Sequence, residues 1–176
     1  MVLDLIAHND WKRPIYFAVT TGSEAYLGLE DYFQLEGLAY RLTPIKNTND
    51  EMAQGGRVNT DIMYDNIMNK FAWGGLDKPG VSLDENCARM ASNMRMQMAT
   101  LAGALINKGQ KQKAEKVLDL CLEKMPDENV RYEATLYTII AGYYQLGNMK
   151  KATELSAKLF DIFENDLKVY NSQTSI

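Results

Sequence analysis

Apolar and polar positions alternate with the period of an α-helix through the second half of the chain, over about 93–166. Two glycines interrupt this pattern, and each is followed five residues later by an alanine. Gly147 follows Gly109 by 38 residues, the same interval that separates Ala114 from Ala152. A glycine ends a helix without the Cβ penalty of the left-handed conformation, and an alanine lets the returning helix pack closely. The pattern therefore predicts two antiparallel helical hairpins.

The spacing within each hairpin resembles that of a tetratricopeptide repeat, whose packing points are small or apolar residues. In the first unit these points are Leu101, Ala102, Leu105, Gly109, Ala114, Leu118, Cys121 and Pro126. In the second unit they are Ile139, Ile140, Tyr143, Gly147, Ala152 and Leu159. The period of 38 exceeds the roughly 34 residues of the standard repeat, and the second unit is the weaker match. About three such units are usually needed for stability, so the segment before Asn93 is expected to cap the array.

The first part of the chain has short apolar runs instead of a helical period. Ile15–Val19 is a β-rich apolar run that predicts a buried strand. Leu29–Glu36 fits a helix of about two turns that Gly37 would end, and Leu38–Leu42 predicts a second extended segment. The order of strand, helix and strand predicts a small α/β segment over residues 1–46.

Polar composition separates this segment from the helical half. Residues 47–58 lack periodicity and predict a loop or linker. The helical array is expected over 59–166, and one long helix within it is expected to start at a capping box in which Ser82 and Glu85 satisfy each other's backbone amides. Residues 167–176 lose the pattern and are expected to fray or dock weakly. The predicted fold is therefore mainly α, with tetratricopeptide-like helical hairpins and a small N-terminal α/β segment.

The charge distribution excludes one class of partner. The formal net charge is −4; residues 1–82 carry 7 Lys and Arg against 11 Asp and Glu, and residues 83–176 carry 12 against 12. Neither half has the basic field that neutralises phosphates, so nucleic acid is not an expected partner. The chain has no run of about 18 apolar residues and no signal peptide, so membrane attachment is expected only through upstream spans. The apolar start at Val2–Ile6 indicates a start inside a larger polypeptide.

Catalytic and metal-binding motifs are scarce in this sequence. His8 is the only histidine, which disfavours histidine metal sites and His-assisted nucleophilic catalysis. Cys87 and Cys121 have no CxxC spacing and are interpreted as small buried apolar groups in helices. Neither glycine pair, at 55–56 or 74–75, is followed by the Lys-Ser/Thr of a phosphate-binding loop. We therefore expect no cofactor, no metal and no catalytic residue.

One candidate ligand site lies in the N-terminal segment, where acidic and aromatic residues cluster. Its members are Trp11, Arg13, Asp31, Tyr32 and Tyr40. Polar and aromatic side chains of this kind suit a sugar or a peptide, but no spacing here holds two carboxylates at the separation that glycoside hydrolysis needs. A structural role for the aromatic residues is favoured over a binding role.

A second candidate site is the face of the array that the first helix of each hairpin would line. The residues that the register places there are Asn107, Tyr137, Tyr144 and Gln145. Tyr137 and Tyr144 are seven residues apart, which puts both on one face of a helix. Tyrosine is enriched at the energetic centres of protein interfaces, which favours peptide recognition. The alternative, that this face packs against the N-terminal part of the chain, has equal support.

Three stretches near the N-terminus resemble a known family. They are Asn9–Ala18, Tyr26–Tyr32 and Leu35–Pro44. They resemble the C-terminal soluble portion of large bacterial multi-spanning membrane proteins, a family similar to the protein O-mannosyltransferase class of lipid-linked-sugar glycosyltransferases. The likeness continues through Met63–Asn66 and Trp73–Gly75. The resemblance implies an extracytoplasmic domain, on the periplasmic side of the inner membrane, that follows the last membrane span.

Two hypotheses about function follow. The first is a non-catalytic protein-interaction or scaffolding domain of a membrane glycosyltransferase-like protein, whose partner is a protein, a peptide or the upstream part of its own chain. The second is a sugar or acceptor-binding site that Trp11, Arg13, Asp31 and Tyr40 help to form in the complete protein. In the resembled enzymes the acceptor-activating acid lies near the first membrane helix, so the resemblance does not imply that this chain itself transfers sugar. A free-standing repeat protein is a weaker third interpretation.

Overall fold

A computed structural model describes residues 2–48, 52–53 and 56–174. Within these residues the chain forms six α-helices and a five-stranded sheet, and it divides into two compact units, Met1–Lys70 and Phe71–Ile176. The sheet lies in the first unit, and the four longest helices lie in the second. The predicted mainly α fold is therefore confirmed.

The first unit opens with helix α1, Val2–Asn9, and continues into a sheet of short strands. The strands are β1 (Tyr16–Ala18), β2 (Phe33–Leu35), β3 (Ala39–Leu42), β4 (Met52–Ala53) and β5 (Gly56–Val58). Their order is β1-β3-β2-β5-β4, with β2 and β5 parallel and the other neighbours antiparallel. Tyr40 lies opposite Phe17 on one side and Leu35 on the other. All three are buried, so one face of the sheet forms an apolar core.

The predicted helix over Leu29–Glu36 is wrong. Only Glu30–Tyr32 is helical, as one turn of 3₁₀-helix, and the chain then enters β2. Phe33 and Leu35 are buried while Gln34 between them is half-buried, which is the two-residue alternation of a strand. Burial of two apolar side chains on one face of the sheet outweighs the local helix preference of the segment.

Residues 47–58, predicted as a loop or linker, contain both β4 and β5. Strand β5 pairs with β2 in parallel, and Val58 opposite Leu35 is buried. These strands are too short to show a period in the sequence, which is why the pattern there is read as a loop. The rest of the predicted linker includes 49–51 and 54–55, which lie outside the described residues.

Helix α2, Thr60–Asp65, follows β5 and continues as a turn of π-helix, Asn66–Lys70. Asn59 caps its start by accepting a hydrogen bond from a backbone amide of the first turn at 3.1 Å. The Nδ2 of Asn66 donates to the carbonyl of Glu36 at 2.7 Å, which ties the helix to the end of β2. The division between the two units falls directly after this helical segment.

The second unit consists of two long helix pairs. The helices are α3 (Glu85–Asn107), α4 (Lys111–Lys124), α5 (Leu136–Leu146) and α6 (Met149–Thr174). Helix α3 packs along α4, α5 packs along α6, and α5 also packs on both α3 and α4. The shared core is fully buried and apolar, with Met98, Leu101, Leu105, Leu118, Leu136, Ile139 and Tyr143. Among the described helices, none has both the length and the apolar character needed to cross a bilayer.

Glycines turn the chain within both pairs, as the spacing predicts. Gly109 has a φ of 72° and Gly147 a φ of 80°, the left-handed region in which any other side chain is strained. Ala114 and Ala152 are fully buried where the returning helices pack. The two helix pairs predicted from the 38-residue interval are therefore present.

Two helix ends differ from the predictions. Helix α3 begins at Glu85 and its N-cap is Asp84, whose carboxylate accepts a hydrogen bond from a backbone amide at 2.8 Å. Ser82 is therefore not the cap; aspartate caps as well as serine, and its charge also suits the positive end of the helix dipole. Helix α6 continues to Thr174, so the tail predicted to fray over 167–176 is helical as far as the described residues extend.

A buried arginine orders the connection between α4 and α5. Arg95 on α3 is fully buried, and its guanidinium donates to the carbonyls of Met125, Val130 and Arg131 at 3.1, 2.8 and 3.1 Å. The ring of Tyr132 lies 5.0 Å from its Cζ, in cation–π range. Burial lowers the pKa of this guanidinium below its usual range. The connection is thus fixed to α3, and this fixes where α5 begins.

Candidate functional site

An apolar groove with a volume of about 540 Å³ runs between α5 and α6. Helix α5 contributes Tyr137, Ile140, Ala141, Tyr144 and Gln145. Helix α6 contributes Ser156, Leu159, Phe160 and Phe163. Aromatic and aliphatic side chains therefore form most of its lining, and its polar groups are one amide and three hydroxyls, two of them on the tyrosines.

The composition of α5 explains why this groove is apolar. No charged residue occurs from Leu136 to Leu146, and a helix that is apolar on all sides is normally covered on all sides. One side of α5 is covered, because Ile139 and Tyr143 are fully buried in the unit's core. The other side presents Tyr137 and Tyr144, which are exposed. Helix α5 thus has an apolar face that its own unit leaves open.

The rim of the groove is formed by four exposed aromatic rings. The exposed fractions are 68% for Tyr137, 66% for Phe160, 44% for Tyr144 and 44% for Phe163. The floor between these rings is formed by two buried aliphatic side chains, those of Ile140 and Leu159. A contiguous exposed apolar surface with polar members is typical of an interaction site. This geometry suits binding of an apolar surface.

The structure gathers three of the four residues predicted for the array face. Tyr137, Tyr144 and Gln145 line the groove together. Asn107 is exposed at the end of α3 and is not part of this lining. The groove therefore lies between the two helices of the second pair. The face lined by the first helix of each pair stays a prediction.

Sequence reasoning missed the contribution of α6. Phe160 and Phe163 are three residues apart on one helix face, and both are exposed. They follow Leu122 and Met125 by the same 38 residues that relate the glycines and alanines of the two pairs. Extending the repeat into the second helix of each pair would have identified them.

A polar cluster joins α4, α5 and α6 beside a second cavity, of about 360 Å³. Asp119 accepts hydrogen bonds at Oδ1 from the Tyr143 hydroxyl and from Lys151 Nζ, both at 2.6 Å. Lys151 also lies 5.3 Å from the centre of the Tyr143 ring. Burial, followed by the hydrogen bond to Asp119, raises the pKa of Tyr143. These groups satisfy one another, so the cluster is interpreted as a tie between three helices.

Tyr40, a predicted ligand-binding residue, belongs to the core of the first unit. Its ring stacks on Phe33 with centroids 5.5 Å apart and meets Tyr26 edge-on at 6.1 Å. Phe17 packs on Phe33 at 4.9 Å in the same cluster. Aromatic pairs at these separations stabilise a core beyond their area burial. The structural role favoured for the aromatic residues therefore fits the position of Tyr40.

The other N-terminal candidates lie at the surface. Asp31 pairs with Lys46 at 2.9 Å, and Tyr32 beside it is half-buried. Trp11 and Arg13 are exposed in the turn that follows α1, where Trp11 has a φ of 56°. Positive φ in a bulky residue is uncommon, but no ligand contact follows from it.

A buried carboxylate lies at the end of β2. The Glu36 side chain is 6% exposed; its Oε2 accepts a hydrogen bond from the Tyr16 hydroxyl at 2.9 Å, and its Oε1 lies 3.6 Å from Arg41. Burial, followed by the bond to Glu36, raises the pKa of Tyr16. Charged groups buried in this way need a partner, and Glu36 has two on the sheet face opposite the aromatic core.

The cysteines and the remaining acids assemble no metal centre in the part of the chain that is described: no three His, Cys, Asp or Glu side chains there are placed to hold an ion. Cys121 is buried, as interpreted from the sequence, and burial raises the pKa of its thiol to about 12. Cys87 is exposed near the start of α3, so the interpretation that both thiols are buried is wrong for this one.

Comparison with known proteins finds a similar domain for one part of the chain. The family model described as TMEM260-associated domain 2 matches residues 1–62, which hold α1 and all five strands. No curated protein and no solved structure matches the chain. The first unit is thus similar to a domain associated with a membrane protein, and the match does not extend to the helices that form the groove.

Proposed function

We propose that this chain is a non-catalytic protein-interaction or scaffolding domain, and that the groove between α5 and α6 binds its partner. The observation that carries the proposal is the rim of four exposed aromatic rings around an apolar floor. Binding energy at protein interfaces concentrates in a few aromatic residues at a desolvated centre. Tyrosine suits such a place because it has an apolar body and a hydroxyl that tolerates water.

The wider context of the proposal is a tetratricopeptide-like array in a larger membrane glycosyltransferase-like protein, on the extracytoplasmic side. The array is supported by the glycine turns and buried alanines at the 38-residue interval. The membrane context is supported by the match of residues 1–62 to a TMEM260-associated domain and by the resemblance of the N-terminal stretches. The alternative, a sugar or acceptor site, has less support because Tyr40 is in the core and Asp31 is paired with Lys46.

A peptide array probed with the purified chain tests the groove. We expect peptides with large apolar side chains to bind, and the double variant Tyr137→Ala, Tyr144→Ala to lose at least about tenfold in affinity, since interface aromatics each contribute on the order of 1–2 kcal/mol. Tyr170→Ala is the matched control, because Tyr170 is 66% exposed on α6 outside the groove lining.

The control variant should bind as the unchanged chain does. Equal binding by the double variant and the unchanged chain would remove the groove as the binding surface. Binding that depends on Trp11 or Arg13 instead would favour the sugar or acceptor site in the first unit.

A further inference from the structure

The open groove corresponds, through the 38-residue interval, to a surface on the first helix pair whose centre is covered in this chain. Subtracting 38 from the number of each groove-lining residue gives an equivalent set of positions on α3 and α4. Those that matter here are Ala99, Ile106, Leu118, Cys121, Leu122 and Met125. Leu118, Cys121 and Met125 are fully buried, and α5 is the helix that packs against both α3 and α4. The first helix pair therefore shows what fills such a groove, namely a single α-helix.

The contact between α5 and this first groove is close at one point. A Cβ placed on Gly142 of α5 would lie 2.9 Å from Cδ1 of Leu118, which is closer than side chains normally approach. Glycine at 142 is therefore fitted to the leucine that faces it. A larger residue at this position needs a smaller residue opposite.

The open groove has a smaller residue at the position that corresponds to Leu118. The position equivalent to Leu118 is Ser156, which lines the groove beside Ala141. At the rim the open groove has the larger side chains, because Tyr137 and Tyr144 occupy the positions that correspond to Ala99 and Ile106 of the first groove. The open groove is thus deeper at its centre and higher at its rim than the covered one.

We propose that the occupant is an amphipathic α-helix of another polypeptide, lying on α5 and α6 as α5 lies on α3 and α4, with a large aliphatic residue where α5 has Gly142. This rests on the proposed function and specifies its partner. The helical form follows from the covered groove, and the aliphatic residue follows from the space that Ser156 leaves. A branched apolar side chain there would be buried against the apolar floor.

Charge gives the occupant a preferred flank. Helix α5 carries no charge, whereas Asp161 and Glu164 follow the groove aromatics on the exposed surface of α6. Glu164 pairs with Lys168 at 3.2 Å on that surface, and exposed pairs of this kind contribute little and can be exchanged. A lysine or arginine on the flank of the occupant that faces α6 complements these carboxylates.

The chain supplies its own probe for this inference. The probe is a synthetic peptide of residues 133–148, which contain α5, with lysines added at one end for solubility. Three versions are compared by calorimetry against the intact chain: unchanged, Gly142→Ala and Gly142→Leu. The alanine version controls for helix propensity, in which alanine exceeds both glycine and leucine. We expect the leucine version to bind about tenfold or more tighter than the alanine version, because it buries additional aliphatic surface.

A change in the receiving groove should reverse this preference. Ser156→Leu restores the leucine that the first groove has, so the leucine peptide should lose its advantage while the unchanged peptide keeps its affinity. Thr153→Leu is the matched control, since Thr153 is exposed on α6 and outside the groove lining. A preference for leucine that persists in Ser156→Leu, or no preference in the unchanged chain, would overturn the proposed docking.

Other outcomes separate this inference from the proposed function. If array peptides bind through Tyr137 and Tyr144 but none of the α5 peptides does, the helical occupant is wrong and the groove remains an interaction site. If sedimentation shows dimers that Phe160→Ala dissociates, the occupant is a second copy of this chain and the inference is likewise overturned. If neither peptide set binds, both proposals fail.

Discussion

The two helix pairs of the second unit share one spacing, but only one of their grooves is filled. Helix α5 packs on α3 and α4, whereas the groove between α5 and α6 is open. Met125 is fully buried in the first, and Phe163, its equivalent 38 residues later, is 44% exposed in the second. We therefore attribute this difference in burial to the presence or absence of a covering helix, and not to a difference in local fold.

The residues of the two grooves differ in the way this contrast requires. The covered groove has Ala99 and Ile106 where the open groove has Tyr137 and Tyr144. Aliphatic side chains fit a partner that is always present, because close packing needs no polar atom. A tyrosine side chain tolerates both exposure to water and burial against an apolar surface, so it suits a partner that binds reversibly. Equivalent positions thus differ in the way expected if the first groove is packed permanently and the second binds its proposed partner reversibly.

The largest expected effect comes from truncating one equivalent position in each groove. Met125→Ala should lower the free energy of unfolding by about 3 kcal/mol, because it leaves a cavity in a close-packed core. Phe163→Ala should change it by less than about 1 kcal/mol, because the ring is already partly in water. Urea denaturation monitored by circular dichroism measures both. Similar losses in the two variants would mean that the second groove is covered within this chain.

The next largest effect is expected from removing Arg95, which fixes the connection that leads into α5. Arg95→Met keeps the aliphatic stem of the side chain but removes the donor of three carbonyls, two of them buried and one partly buried, so the free energy of unfolding should fall by about 2–3 kcal/mol. Arg89→Met on the same helix is the control, since Arg89 is exposed and its guanidinium donates to the side chain of Asn86 at 3.0 Å. Its effect should be within about 0.5 kcal/mol.

Thiol labelling locates the effect of Arg95→Met. Cys121 lies in the covered groove and is fully buried, so its reaction with a thiol reagent requires that α5 move away. We expect faster labelling of Cys121 in Arg95→Met than in Arg89→Met, with Cys87 unchanged as the internal reference. Equal rates at Cys121 would show that Arg95 does not hold α5 in place.

The helical half was predictable because its signals are long and redundant. Gly109, Gly147, Ala114 and Ala152 each predict a turn or a close contact, and all four lie where their spacing requires. The open groove was only half predictable, because Tyr137 and Tyr144 share one helix face while Phe160 and Phe163 belong to another helix. A helical period reveals one helix at a time, and grooves between helices appear only when the repeat relation is applied to both.

The N-terminal half was less predictable because its strands are short. Phe33 and Leu35 show one cycle of alternation, which the acidic residues before them obscure, and pairing with β3 decides the conformation. The C-terminal tail differs from its prediction for another reason. After Asp166 the amphipathic pattern ends, but no glycine or proline interrupts 167–174, so α6 continues with Leu167 and Tyr170 exposed.

The smallest expected effect isolates the single close contact of the covered groove. Gly103 and Gly142 both lie inside helices, and a Cβ on Gly103 meets nothing within 4 Å, whereas one on Gly142 meets Leu118 at 2.9 Å. Gly103→Ala should therefore raise the free energy of unfolding by about 0.5–1 kcal/mol through helix propensity alone. Gly142→Ala should show little or no gain, because displacing the leucine offsets the propensity term.

A double-mutant cycle makes this last comparison decisive. In a Leu118→Ala background the obstacle is removed, so Gly142→Ala should become stabilising by about the same 0.5–1 kcal/mol as Gly103→Ala. The coupling between 118 and 142 then measures how closely α5 is fitted to the covered groove. Position 156, which replaces that leucine with serine, carries no such constraint, and this is why the open groove should accept the leucine peptide that the covered one excludes. Equal gains at 103 and 142 in the unchanged background would remove the steric basis of that distinction.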